Sequence, residues 1–236
     1  MNDYRDFFPI KRLTTLEGIM INETPLRIGV GKEPPLGAPV DVAVYRVGDV
    51  PCIPGSSIKG VFRAFVESLA TSQGTITHSP WDFTVMDREA KEGKFCIICG
   101  IFGSTHIASH VRIYDMLPKD DENRIKAKQT LIKTSVGIDR EFRGAKPGAL
   151  FTEELIVPGI EWNFKMDIIN IKTFPQPDDE RGKLLRSLFD TLIHFGINIG
   201  ARRSVGYGLI KLKECKWKNY SLEDGSLNLE EEGVLK

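Results

Sequence analysis

The sequence predicts an α+β fold built on a ferredoxin-like sheet, and three observations carry that expectation. Two stretches repeat apolar residues at helical spacing, one through Ile58, Val61, Phe62, Phe65 and Leu69, the other through Leu184, Leu185, Leu188, Phe189, Leu192 and Ile193. Strand-like runs stand before the first and after the second, at residues 12–22 and 209–215. The resulting order of strand, helix, further strands, helix and strand is that of a split βαβ sheet. At 236 residues the chain suits one domain spanning 1–236, with a core at about 10–70 and 160–217 and insertions at about 71–110 and 118–160.

Each element has a local reason. Residues 12–22 alternate loosely and stop before Glu23-Thr24-Pro25, as a first strand does. The stretch GVGKEPPLGAP at 29–39 is too rich in glycine and proline for regular structure and predicts a long exposed loop. The Pro54-Gly55 turn then leads into the first helix, expected to begin at a serine cap, Ser56 or Ser57. Lys59 and Arg63 are four residues apart and share a face near its start. Pro177-Asp178-Asp179 announces the second helix and Gly196 ends it. The tail from residue 221 sets Glu223, Asp224, Glu230, Glu231 and Glu232 against one lysine and reads as a solvated face.

Composition limits the function classes. Lys plus Arg is 32 and Asp plus Glu is 32, so overall charge gives no argument for a nucleic-acid partner. Local charge does: residues 124–146 carry Arg124, Lys126, Lys128, Lys133, Arg140, Arg143 and Lys146 against only Asp139 and Glu141. No apolar run approaches the roughly 18 residues a membrane span needs, and the N-terminus lacks a basic segment followed by an apolar one. A cytoplasmic location without a membrane partner is the expectation. The four cysteines are too few and too irregular for a disulfide scaffold, and Cys52 and Cys215 sit in apolar runs as core residues.

Two glycine-rich elements point to phosphates. In GARRSVGYG at 200–208, glycines surround Arg202, Arg203 and Ser204, a backbone able to approach a phosphodiester with guanidinium forks beside it. In IPGSSIKG at 53–60, Ser56 and Ser57 stand at a helix start, where exposed N–H groups favour anions. Either alone is more often only a tight connection. In order along the chain, IPGSSIKGVFR at 53–63, Phe102-Gly103-Ser104, TSVGIDREFRGAKPGALFTE at 134–153 and GARRSVGYG together resemble the repeat-associated mysterious protein (RAMP) superfamily of CRISPR systems. They are most similar to the backbone subunit of type III interference complexes.

The resemblance implies an RNA-recognition-like core with the middle segments projecting as a thumb and a lid. It implies partners too: CRISPR RNA, target RNA, further copies of the chain and other effector subunits. Ser56, Ser57, Lys59, Arg63, Arg202, Arg203 and Ser204 would hold the guide backbone. Gly144, Pro147 and Gly148 mark a hairpin tip with Arg140, Arg143 and Lys146 around it, suited to crossing an RNA backbone, and Phe142 could wedge between bases.

Asp41 is the candidate for chemistry, a carboxylate between the 29–39 loop and the apolar run Val42-Ala43-Val44. By residue type alone it caps a turn. In the resembling subunit an aspartate here, after a pair like Gly37-Ala38, is associated with cutting target RNA by metal-dependent attack of the ribose 2′-hydroxyl on the adjacent phosphate. Asp41 would then position that hydroxyl or hold a hydrated divalent ion such as Mg2+. A non-catalytic RNA-binding scaffold and a CRISPR-repeat processing endoribonuclease are the alternatives. Cys96-x-x-Cys99, with His106 and His110, has half-spacings that suit zinc. The resemblance adds an upstream ligand, for which His78 is the candidate.

Overall fold

The computed structural model describes residues 3–29, 40–223 and 225–236. The expected loop at 30–39, with its Gly37-Ala38 pair, lies outside the described residues. A first long strand, β1 (Arg12–Asn22), is followed by a two-stranded ribbon of β2 (Arg46–Val47) and β3 (Val50–Pro51) and then the helix α1 (Gly55–Ser72). The next segment holds α2 (Phe83–Glu92) and α3 (Ile97–Phe102) and returns to the sheet as β4 (Val111–Ile113). Helix α4 (Asp121–Lys128) precedes a long hairpin of β5 (Leu131–Ile138) and β6 (Ala145–Leu155). The chain then closes through β7 (Glu161–Ile169), α5 (Glu180–His194), the short β8 (Ile197–Asn198), β9 (Leu209–Glu223) and β10 (Ser226–Leu235).

The main sheet runs β10-β9-β1-β7-β4, with β8 also paired to β9. Every pairing in it is antiparallel. Without β10 and β8, the spatial order is fourth, first, third and second core strand, with α1 and α5 as the two crossovers. That is the ferredoxin-like arrangement.

The periodicity of each element explains the packing. Gly55, Ile58, Phe62, Val66 and Ala70 recur every three or four residues along α1 and are its buried positions. The buried face of α5 holds Leu184, Leu185, Leu188, Phe189 and Leu192. Alternate residues of β7, namely Trp162, Phe164, Met166 and Ile168, meet them from the sheet. Phe62, Phe164, Phe189, Phe174 and Trp217 form a continuous ring-to-ring chain through the core, with neighbouring centroids 5.4–6.4 Å apart. Asn22, buried at the end of β1, spends both ends of its amide: Oδ1 accepts from Ile160 N and Trp162 Nε1, and Nδ2 donates to Thr24 O and Val157 O. Cys52 and Cys215 are core residues, and burial pushes their thiols up to about 11 and about 12.

Four local expectations are corrected. Helix α1 begins at Gly55 with Pro54 as its cap, not at a serine. The last segment is a strand, not merely a solvated tail: β10 pairs with β9 from Ser226 to Leu235, its glutamates facing out and Leu235 buried. The strand at 209–215 continues to Glu223, paired with β1 as far as Ser221 and with β10 from Cys215 to Glu223. The tip of the long hairpin is 139–144, where Asp139 Oδ1 accepts from the N–H groups of Glu141 and Phe142, while Pro147 and Gly148 lie within β6.

Candidate nucleic-acid interface and metal centre

The start of α1 sits against the edge strand β4. A Cβ on Gly55 would lie 2.3 Å from Ile113 O, so the motif's glycine is set by this close approach. Its N–H donates to Asp115 Oδ1 at 2.8 Å, so a carboxylate of the chain already occupies part of the helix start that the sequence offered to an anion. The side chains around it stay available. Ser56, Lys59, Ser109, Arg112 and Phe7 line a shallow basin of 480 Å³. Ser56 is exposed and Ser57 half-buried. Burial and the neighbouring Arg63 charge both lower the pKa of Lys59. Arg63, on the same face as Lys59, donates to Gly103 O at 2.7 Å and to Cys99 Sγ at 3.6 Å, so its guanidinium is tied to the α3 segment.

The glycine-rich loop is fixed to the body of the protein. Gly208 has φ +76 and a Cβ there would meet Ile199 O at 1.9 Å, so no other residue fits without moving the backbone. Ala201 N donates to Arg27 O at 3.0 Å. The two arginines differ. Arg203 is exposed, as is Ser204. Arg202, in the left-handed region at φ 61, donates through Nε to Glu153 at 3.2 Å and lies 4.5 Å over the Phe151 ring. It is held by the root of the hairpin instead of reaching freely into solvent. Lys133, the cross-strand partner of Glu153 on β5, bonds Tyr207 of the loop through the hydroxyl and lies 5.1 Å from the ring centre.

Asp41 is anchored to the same root. Its Oδ2 accepts from Thr152 N at 2.6 Å and from Thr152 Oγ1 at 3.1 Å, and its N–H donates back to Thr152 O at 3.1 Å. The backbone hydrogen bond, followed by the hydroxyl one, holds this exposed carboxyl below its usual pKa. Among the described residues Oδ1 accepts no hydrogen bond, and Asp41 belongs to no cluster of three or more ligating side chains. The hairpin beyond is open: Phe142 is 83% exposed, and Arg140, Arg143 and Lys146 are exposed around the tip.

A four-donor cluster forms between α2 and α3. The Nε2 or Nδ1 of His78, a carboxylate oxygen of Glu89 and the Sγ atoms of Cys96 and Cys99 all lie within 4.8 Å of one another. The set is buried, and its outer contacts fit a metal-binding arrangement. His78 Nδ1 lies 3.0 Å from Ser79 O, which leaves Nε2 toward the cluster, and Glu89 Oε1 accepts from Cys96 N at 3.0 Å. The Cys96 hydrogen bond and the His78 and Arg63 charges pull the Cys99 thiol below its usual value, while that hydrogen bond and burial hold Cys96 well above its own.

The structure thus gathers Cys96, Cys99 and His78 and adds Glu89, which the sequence reading missed. His106 and His110 are not part of the cluster. His106 Nε2 is 2.7 Å from Asp87 on the exposed side of α2, and the fully buried His110 is 2.9 Å from Asp6. Their spacing mimicked a zinc half-site, but the turn at 103–109 carries both away. Glu89 falls on a short, mostly polar helix, where an acidic residue resembles any solvated one. Its signal was its place seven residues before Cys96, one turn from the helix end.

These parts define a class: a ferredoxin-like α+β domain in which a basic hairpin meets a glycine-rich loop. The model of the RAMP superfamily matches residues 22–211, and the chain belongs to that superfamily. It is similar to the CRISPR system Cms endoribonuclease Csm3 of Methanocaldococcus jannaschii, at 30% identity over 226 residues, covering 89% of this chain and 84% of the relative. Its fold is also similar to a chain in the cryo-EM structure of the type III-B Cmr-beta bound to cognate target RNA. There the TM-score is 0.56 and the identity 20%, over 87% of this chain. This chain spans 61% of that chain's length. Among the described residues no helix is long and apolar enough to cross a membrane.

Proposed function

We propose that the chain is a backbone subunit of a type III CRISPR effector: it lines up with further copies along a CRISPR RNA and cuts the paired target RNA through Asp41. The observation that carries the reading is the attachment of Asp41 to Thr152, which puts an ionised carboxylate at the root of a basic hairpin and beside the glycine-rich loop. Ser56, Ser57 and Lys59 at the α1 basin, with Arg203 and Ser204 on the loop, hold phosphates without reading bases. Arg140 and Arg143 extend the basic track along the hairpin.

In the reaction the target's 2′-oxygen forms a bond to the adjacent phosphorus as the bond from phosphorus to the 5′-oxygen breaks. The 2′-hydroxyl passes its proton to solvent water and the leaving oxygen takes one from solvent water, giving a cyclic phosphate and a free 5′-hydroxyl. A carboxylate with a lowered pKa is a poor proton acceptor near neutrality, so Asp41 acts by orienting the 2′-hydroxyl through its unbonded Oδ1. Where the same Oδ1 instead holds a hydrated Mg2+, the ion would supply charge neutralisation at the phosphate. The His78, Glu89, Cys96 and Cys99 set suits a tetrahedral zinc ion, whose part is to cross-link the α2–α3 segment.

Asp41→Asn tests the reading, because an amide oxygen can keep the Thr152 N–H bond while the charge is lost. In a complex assembled with guide RNA, the variant should bind target as the parent does and fail to cleave it, and a deoxyribose at the cut position or a chelator should also stop cleavage. A scaffold role draws support from the same anchoring bonds, which on their own explain a fixed loop. Cleavage by Asp41→Asn at the parental rate would establish that second reading.

A further inference from the structure

Glu153 is a buried carboxylate that holds Arg202 and has no role of its own in the proposed reaction. It is fully buried, follows the Thr152 that anchors Asp41, and lies in register with Val42, the residue after Asp41. Two guanidinium groups meet it from separate segments: Arg27 Nη1 at 2.6 Å and Arg202 Nε at 3.2 Å. A fully buried carboxylate needs such partners. The trio is not closed, however. It carries two positive charges against one negative, Arg27 Nε is buried without a hydrogen-bond partner, and among the described residues only Nε of Arg202 is engaged. Phe151, two residues before Glu153 on the same face of β6, stacks under the Arg202 guanidinium and fixes its plane. A guanidinium bound through Nε and stacked on one face keeps its two terminal nitrogens as a fork suited to two oxygens of one phosphate.

We propose that Glu153 is a positioning residue that clamps Arg202 against β6 so that its terminal nitrogens contact a phosphate of the target RNA next to Asp41. This rests on the cleavage reading for its place in the reaction, though the phosphate contact itself does not. The clamp divides the loop's arginines by role: the exposed Arg203 contributes charge to RNA binding at large, while Arg202 contributes a fixed geometry. Glu153 touches no RNA and acts only through Arg202 and Arg27.

The test uses the assembled complex with guide and target RNA and compares the parent, Glu153→Gln, Arg202→Gln, the double variant and Asp41→Asn. Glu153→Gln should change target affinity by less than about threefold, yet slow single-turnover cleavage by about tenfold or more, because displacement of a positioned group is read in rate more than in binding. Arg202→Gln should lower the salt slope of target binding by about one in the parent and by much less in Glu153→Gln, and the two cleavage losses should not add. Arg202→Lys should restore affinity but not rate, since an ammonium cannot reproduce the fork. Glu153→Asp, which keeps the charge, guards against simple unfolding and should melt within a few degrees of the parent while remaining slow.

Should Asp41→Asn cut normally while the salt-slope coupling persists, the cleavage reading falls and the clamp stands as an RNA-binding device. Should Asp41→Asn be dead while Glu153→Gln cuts at the parental rate and the slopes are uncoupled, the clamp is wrong and the cleavage reading stands. Equal melting losses that account for every rate change would likewise overturn the clamp.

Discussion

The two long excursions from the sheet solve one problem in opposite ways. The segment between α1 and β4 turns its apolar residues inward: Ile97, Ile98, Ile101 and Phe102 join the core, and His78, Glu89, Cys96 and Cys99 cluster beside them. The β5–β6 hairpin has almost no interior. Leu131, Ile132, Val136, Ile138, Phe142 and Leu150 are all exposed along it, and an isolated two-stranded ribbon is marginal in water. Among the described residues it is secured near its root, through Thr152, Glu153 and Glu154 on β6 and through Lys133 on β5. One insertion carries its own means of staying ordered, while the other depends on what it touches.

The largest expected effect falls on the self-sufficient insertion. Cys99→Ser, or prolonged chelation of the purified chain, should cost about 4 kcal/mol, which in a chain of this size is about 8–16 °C of melting temperature. Metal analysis should give about one zinc per chain in the parent and none in the variant. If a metal-free parent melts unchanged, the contrast between the two insertions disappears.

Next comes the root of the hairpin. Burial opposes ionisation of Glu154, but hydrogen bonds from Arg46, Thr130 and Val44 N outweigh it and bring the pKa down to about 2 from 4.5. A depressed carboxylate stabilises the fold above its unfolded value and loses that contribution as pH falls through its folded value. Glu154→Gln should therefore cost about 3 kcal/mol at pH 7, with the difference from the parent shrinking between about pH 4.5 and pH 2 in parallel melting curves. A constant difference would mean that Glu154 holds the root by shape and not by charge.

Smaller changes are expected from the cations proposed to touch RNA. Lys59→Ala and Arg203→Ala should each reduce the salt slope of guide binding by about one, without preference for RNA sequence and with melting unaltered. The smallest effect belongs to the hairpin's exposed face. Ile132→Thr with Leu150→Thr should shift melting of the free chain by no more than about 2 °C, while lowering assembly on guide RNA in native mass measurements. A large melting loss would show that the ribbon packs against the body after all.

Most of the sheet was legible because its signals are local. The 12–22 strand, the helical periods of α1 and α5 and the start of α5 after Pro177-Asp178-Asp179 all follow from neighbours in sequence. What the sequence hid depends on meetings across long separations. Arg202 looked like a free grip until Glu153, 49 residues away, was seen to hold it. Arg63 looked like a free companion of Lys59, but Gly103 and Cys99 tie it to the α3 segment. The histidine spacing after Cys99 suggested ligands, while the cluster completes itself from residues upstream. The acidic tail concealed a strand because Leu227, Leu229 and Val234 are interrupted by glutamates and by the register shift after Leu229.

That outermost strand has a further consequence. A sheet edge is a ready template for another strand, and a chain that gathers in many copies is exposed to unwanted lateral growth. Glu230, Glu231 and Glu232 lie consecutively and exposed on β10, so two molecules meeting along this edge would press like charges together. Side-to-side sheet extension along β10 is thereby discouraged.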